Sequence, residues 1–323
     1  MSKNGRASNA AIARGLEFFE QLLLIRRTEE RLSTLFADGE VPGFIHLSIG
    51  QEAVSVGVMA ALGQGDSVAS THRGHGHALA KGMALDAFFA ELLARDTGLC
   101  RGRGGSMHVA DTSIGMLGAN GIVGAGVPIA TGAALAHQLA GKGRVAVAFF
   151  GDGALAEGVL HESFNLAQLW RLPILFVCEA NGWSEFSPVG AQIAFDLAAW
   201  AKAYGMPYHR VDGNDVLAIA DLASGVVTTI REGAGPAVLE CRTHRVRGHF
   251  EGDAQKYRTD TAAPNDPIAL LSDQLALLGV SADTLAMARD AADARIEAAV
   301  AAARLGPAAD FEAARHGVYG AAA

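Results

Sequence analysis

The sequence predicts an α/β fold: a doubly wound, mainly parallel sheet with helices on both faces. Three observations predict it. The run 145–150 has strand length and the continuous hydrophobicity of a strand buried on both sides, and 173–178 and 237–241 also fit strands. Segments of helical pattern separate these runs. The first two runs are joined by one helix, the spacing of a strand–helix–strand unit of about 30 residues.

Taken in order, residues 1–14 read as a flexible N-terminal arm. It leads into an amphipathic helix over 15–37, whose apolar set includes Leu16, Phe19, Leu23, Leu32 and Leu35. Gly39 and Pro42-Gly43 break the pattern, and a second helix is predicted to start after Ser48-Ile49-Gly50 and to run to about Leu62. Residues 67–126 read as irregular, Gly- and His-rich chain, the kind of loop on which sites sit. Helices are predicted over 127–140, 156–170, 194–204 and 214–232. From 266 the chain is Ala-rich and helical in pattern and ends in a short Gly/Ala peptide. With no repeat or dividing linker, 15–265 is expected to be one domain and 266–323 a C-terminal helical extension.

Half of the 323 residues are hydrophobic and 19% are charged, which suits a sizeable core. A net charge of −8 argues against a nucleic-acid-binding surface. Arg101-Gly102-Arg103-Gly104-Gly105 offers either a local phosphate pocket or a solvated flexible loop. The scattered Cys100, Cys178 and Cys241 form no CxxC, so reduced thiols in a cytoplasmic protein are expected. No apolar segment follows the few basic residues of the N-terminus as a signal peptide requires, and the early folded pattern argues against a mitochondrial presequence. The run Leu22-Leu23-Leu24-Ile25 is too short to span a membrane.

Gly151-Asp152-Gly153 directly follows the first strand, and Asn181-Gly182 follows the second. Alone, each is an ordinary turn. Together they place a carboxylate and an amide oxygen at the carboxyl edge of neighbouring parallel strands, where open α/β sheets bind ligands. Two hard oxygen donors suit Mg²⁺ or Ca²⁺, with phosphate and water completing the shell. Gly153 permits close approach of a phosphate, and the following helix N-terminus attracts it.

The order strand, Gly-Asp-Gly, helix, strand, Asn resembles the thiamine-diphosphate motif. Further segments resemble the alpha subunits of the two-chain E1 components of 2-oxo acid and acetoin dehydrogenase complexes. These are Phe44–Ala53, Thr71–Gly76, Gly104–His108, Gly121–Gly124 and Arg247–His249 with Tyr257-Arg258, in register over 16–260. The stretch Gly248–Asp253 and the short chain are nearest the acetoin/pyruvate branch.

The resemblance implies a thiamine-diphosphate-binding fold with Mg²⁺ held by Asp152, Asn181 and the backbone carbonyl of Trp183. It implies cofactor contacts from His72, Arg73, Gly121, Val123, Gly153, Ala154 and His249, and reacting-centre roles for His249, His75 and His46. It implies an E1 beta partner in an α₂β₂ assembly, with the carboxylate that activates the cofactor ring supplied by beta, so Glu52, Glu157 and Glu162 are not given that role. It implies acetoin or a 2-oxo acid as substrate, and a lipoyl-bearing E2 as acyl acceptor. Departures stand at His72 (usually Tyr), Ala180 (usually Asn), Arg247 (often His) and Phe250, where mitochondrial relatives carry a phosphorylated Ser. The Gly/Ala-rich helix 124–140 packs either on its own sheet or against another chain. Alternatives are a carboligase or acyltransferase subunit on the same cofactor, and a non-catalytic scaffold for beta. A dinucleotide-binding fold is disfavoured, since no GxGxxG joins a first strand to a helix.

Overall fold

The protein is described here by a computed structural model covering residues 3–258 and 265–316. Six parallel strands form one sheet: β1 (Ser67–Ala69), β2 (Met116–Gly118), β3 (Ala146–Gly151), β4 (Ile174–Ala180), β7 (Tyr208–Asp212) and β8 (Ala237–Arg242). The spatial order is β2-β1-β3-β4-β8-β7. A two-stranded antiparallel ribbon, β5 (Trp183–Ser184) with β6 (Ser187–Pro188), follows β4.

The side-chain alternation of a strand explains the two cores. Val145, Val147 and Phe149 point into one core, and Ala146, Ala148 and Phe150 into the other. The first core is closed by the helices α1 (Lys3–Ala37), α2 (Glu52–Met59), α3 (His75–Ala80), α4 (Leu85–Leu92), α8 (Val216–Thr229), α9 (Pro267–Leu277) and α10 (Ala282–Leu305). The second is closed by α5 (Gly126–Ala140), α6 (Gly158–Leu169) and α7 (Leu197–Ala203). A last short helix, α11, spans Phe311–His316.

Three expectations need correction. Helix α1 begins at Lys3, so the described part of the 1–14 segment is helical and continuous with the helix predicted over 15–37. The 67–126 region is not irregular throughout, for it contains β1, β2, α3 and α4. The strands escaped notice because each has three residues, too few to display a period. β7 was also missed. It is the sheet edge, half exposed, and its sequence Tyr-His-Arg-Val-Asp lacks the apolar run of a buried strand. The terminal Gly/Ala peptide 317–323 lies outside the described residues.

From β1 the sheet continues outward to β2; from β3 it continues the opposite way to β4. The carboxyl ends of β1 and β3 therefore flank a topological switch point, the crevice where such sheets hold ligands.

Candidate active site

A cavity of about 330 Å³ opens at that crevice. Thr71, His72 and Arg73 enter it after β1, Gly151 at the end of β3 and Asp152 to Ala154 after it, and Asn181, Trp183, Ser184 and Glu185 at and after the end of β4. Gly121 and Val123 line it from the loop before α5, and His46 and His249 from two segments distant in sequence.

Those two segments are tied together by backbone bonds. Val246 N–H donates to Ile49 O at 3.0 Å, and Glu251 N–H to Ile45 O at 2.9 Å. Gly50 makes the crossing possible: its φ is +97°, and a Cβ there would lie 2.3 Å from His244 O.

At the strand tips, Asp152 Oδ2 accepts the backbone N–H groups of Asn181 at 2.8 Å and Gly182 at 3.0 Å. The carboxylate of β3 and the turn after β4 are thus one unit. Asn181 Oδ1 accepts Trp183 N–H at 3.0 Å, and Asn181 Nδ2 donates to Gln51 Oε1 at 3.3 Å. An amide oxygen has two lone pairs, so one remains for a cation. Burial pushes Asp152 up to about 6, against the pull of its backbone bonds. Among the described residues no cationic side chain forms an ion pair with it. A buried carboxylate held by hydrogen bonds, with no cationic side chain paired to it among the described residues, fits a metal ion, and the donor set of carboxylate and amide oxygens fits Mg²⁺.

Arg73 is the opposite case. It is buried and donates to neutral acceptors, Leu47 O at 2.9 Å and His249 O at 2.6 Å. Burial and the neighbouring Arg245 draw it down to about 9. It makes no ion pair among the described residues. A desolvated guanidinium without a carboxylate fits an anionic group such as a diphosphate. Gly153 carries no side chain where a Cβ would meet Ser184 Oγ at 2.9 Å, which keeps this wall of the cavity low.

At the other end His46, His72 and His249 place ligating atoms within 4.8 Å of one another. Burial first, then Arg73, lowers His46 to about 3 and His249 to about 4, and holds His72 well below the usual range. All three rings are neutral near pH 7. Arg73 Nη2 and Arg245 Nη1 stand 3.3 and 3.4 Å from His249 Nδ1. Those charges oppose a second cation, so the cluster is read as neutral hydrogen-bonding groups and not as a metal centre.

His75 is not brought to the cavity. It is fully buried, with Nδ1 2.9 Å from Glu29 Oε2 and Nε2 2.8 Å from Ser106 Oγ. Burial alone would raise Glu29, but the contacts with His75 and Ser48 outweigh it and its pKa falls. Nδ1 is spent on Glu29 of α1 and Nε2 on Ser106, so neither ring nitrogen is left for the cavity, which goes against the reacting-centre role expected of it. Arg247 is exposed and does not line the cavity, whereas Arg245, not singled out from the sequence, is buried beside His249. Ser70, Gln51 and Glu179 were also missed. They sit beside motif residues, but each is a residue type that sequence alone reads as a turn or surface group. The 101–105 loop is no phosphate pocket: the N–H groups of Cys100, Gly102, Gly104 and Gly105 all donate to the buried Glu91 carboxylate.

Comparison with known proteins agrees with this geometry. Residues 20–312 match the family described as Dehydrogenase E1 component. The alpha subunit of acetoin:2,6-dichlorophenolindophenol oxidoreductase from Bacillus subtilis (strain 168) is 51% identical over 76% of this chain and 74% of its own length. The protein of the same name from Cupriavidus necator is 47% identical over 82% of this chain and 79% of its own length. The pyruvate dehydrogenase E1 component subunit alpha of Zymomonas mobilis is 42% identical over 82% and 77%. The chain belongs to the dehydrogenase E1 component family, and these relatives within it are alpha subunits.

Proposed function

We propose that this chain is the alpha subunit of a two-chain E1 enzyme that cleaves acetoin and passes the acyl group to a lipoyl-bearing E2. In this reading it holds thiamine diphosphate through Mg²⁺ and works in an α₂β₂ assembly. The observation that carries it is a single cavity with an uncompensated carboxylate at one end, an unpaired buried guanidinium in its wall and neutral imidazoles at the other end.

Asp152, Asn181 and the Trp183 carbonyl would hold the cation, and Arg73 the diphosphate oxygens. Gly121, Val123, Gly153, Ala154 and His72 would line the rest of the cofactor. When bound, thiamine diphosphate supplies an electron sink for breaking a carbon–carbon bond next to a carbonyl. The chain contributes orientation and proton control. His46 and His249, neutral at working pH, can each give or take one hydrogen bond at the reacting oxygen atoms, and Arg73 and Arg245 make an imidazolium costly there.

The substrate reading favours acetoin. The two acetoin relatives, at 51% and 47%, stand above the pyruvate relative at 42%. A neutral hydroxyketone also suits an end whose imidazoles carry no charge. Pyruvate is the second reading, favoured by Arg73 and Arg245, which could receive a carboxylate.

The alpha-subunit names of the relatives support a beta partner. So does the surface beside the cavity: Ile122, Val123 and Ile129 are 72%, 47% and 48% exposed at and before the start of α5. α5 otherwise lies on its own sheet through Val127, Ala130 and Ala134. Among the described residues no helix is long and apolar enough to cross a membrane, and a cytoplasmic location is proposed.

The test is co-production with a beta subunit and assay of acetoin, pyruvate and branched-chain 2-oxo acids with 2,6-dichlorophenolindophenol as acceptor. Acetoin is expected to give the highest kcat/KM. Absence of turnover on all of them, with no Mg²⁺-dependent cofactor binding, would refute the reading.

A further inference from the structure

Beneath the cavity floor lies a buried side-chain chain that no role above uses. Ser70 Oγ is 2.7 Å from His77 Nδ1, and His77 Nε2 is 3.3 Å from Glu179 Oε1. Ser70, His77 and Glu179 are exposed by only 1%, 1% and 5%. Ser70 follows β1, Glu179 is in β4, and the His77 ring spans the strand between them, stacked on Phe149 of β3 at 3.8 Å between centroids. Ser70 and Glu179 line the cavity. The stacking orients the ring plane so that one nitrogen faces Ser70 and the other Glu179.

We propose that Ser70, His77 and Glu179 act as a hydroxyl–imidazole–carboxylate relay that removes the carbinol proton of a hydroxyketone substrate. The proposal rests on the acetoin reading above. Cleaving acetoin between its carbonyl and carbinol carbons releases acetaldehyde only if the carbinol O–H gives up its proton. That proton passes to Ser70 Oγ while the proton of Ser70 passes to His77 Nδ1. The electron pair of the O–H bond forms the aldehyde C=O, and the pair of the broken carbon–carbon bond would be taken up by the electron sink that thiamine diphosphate supplies when bound. His77 becomes an imidazolium whose Nε2–H faces Glu179, and the carboxylate stabilises that cation without taking the proton, as in hydroxyl–imidazole–carboxylate triads generally. After the aldehyde has left, His77 gives its proton back to Ser70 Oγ and Ser70 passes one to a solvent water that enters the vacated space, which resets the relay. A 2-oxo acid has no such requirement: its carboxylate is already ionised when CO₂ departs. The relay therefore separates the two substrate classes.

The experiment compares Ser70→Ala and His77→Asn with wild type in the alpha–beta assembly, on acetoin and on pyruvate. Cofactor affinity is followed by calorimetric titration in the absence of substrate. The expected result is a fall in acetoin kcat of about 100-fold in both variants, with pyruvate turnover and cofactor affinity within about threefold of wild type. Equal losses on both substrates, or no loss on acetoin, overturn the relay. Ser70→Ala keeps the judgement secure if His77→Asn folds poorly, because it leaves the His77 stack on Phe149 in place. The solvent deuterium isotope effect on acetoin cleavage is a second measure: it should be present in wild type and lost in Ser70→Ala, and its persistence sinks the idea. Wild-type enzyme that binds no thiamine diphosphate would instead refute the functional reading itself. Wild type that turns over pyruvate but not acetoin would remove the relay and leave the cofactor reading standing.

Discussion

The two ends of the cavity are both desolvated, yet they ask for opposite things. At the strand tips burial raises Asp152 to about 6, and no cationic side chain among the described residues pairs with it. At the imidazole end burial first, and Arg73 next, lower His46 and His249 to about 3 and 4. One end is short of a positive charge; the other is crowded by two. The difference teaches how one cavity can suit a cation–diphosphate pair at one end and keep proton-handling groups neutral at the other. Low dielectric amplifies both effects, and the placement of Arg73 divides them.

The comparison breaks most visibly at Asp152. Asp152→Ala in the alpha–beta assembly is expected to abolish Mg²⁺-dependent thiamine-diphosphate binding, measured by calorimetric titration. Unchanged affinity would mean that the strand tips hold no metal. Next in size, His249→Ala should keep cofactor affinity within about twofold while acyl transfer to the dye acceptor falls by about 100- to 1000-fold. Steady-state assay checks this, and normal turnover would remove His249 from the reacting centre.

A pH series sharpens the contrast between the ends. The folded pKa of Asp152 lies above its unfolded value, so in the cation-free chain its contribution to stability is complete at acid pH and is lost as pH rises through about 6. Binding of the cation runs the other way, since the metal needs the carboxylate. Affinity for Mg²⁺ and cofactor should hold above about 6 and weaken by up to about tenfold per pH unit below it. His46 and His249, lowered to about 3 and 4, do not titrate between pH 7 and 5. Titrations at pH 7, 6 and 5 test this, and a flat profile would contradict the assignment.

The smallest effect on chemistry is expected at His75. His75→Ala strands the fully buried Glu29 carboxylate and should cost roughly 3–5 kcal/mol of stability. Turnover per folded molecule should stay near wild type. Thermal melts and active-site titration separate the two, and a large loss in the folded fraction's kcat would return His75 to the reacting centre.

His75 and His249 also show why motif reading reached only part of the site. Both stand in segments that resemble the family equally well, and both were expected at the reacting centre. Their fates differ because Glu29 of α1 and Ser106 reach His75 from remote parts of the chain, contacts with no local signature. The Asp152–Asn181 pair was readable because one strand–helix–strand unit sets its geometry: two strands in register, each ending in a tight polar turn. Arg245, two residues from the noted departure at Arg247, went unseen because which of them turns inward depends on the crossing of 244–249 with 44–50.

Chain order alone fixed the parallel sheet, the strand tips that pair a carboxylate with an amide, and the family, because these follow from hydrophobic period and from residues close in sequence. Three-dimensional packing assigned the rest: which histidines face the cavity, which carboxylate lacks a partner, and how Ser70, His77 and Glu179 meet beneath Phe149. Desolvation and charge at those places are set by atoms contributed from every part of the chain, and no window of sequence contains them all.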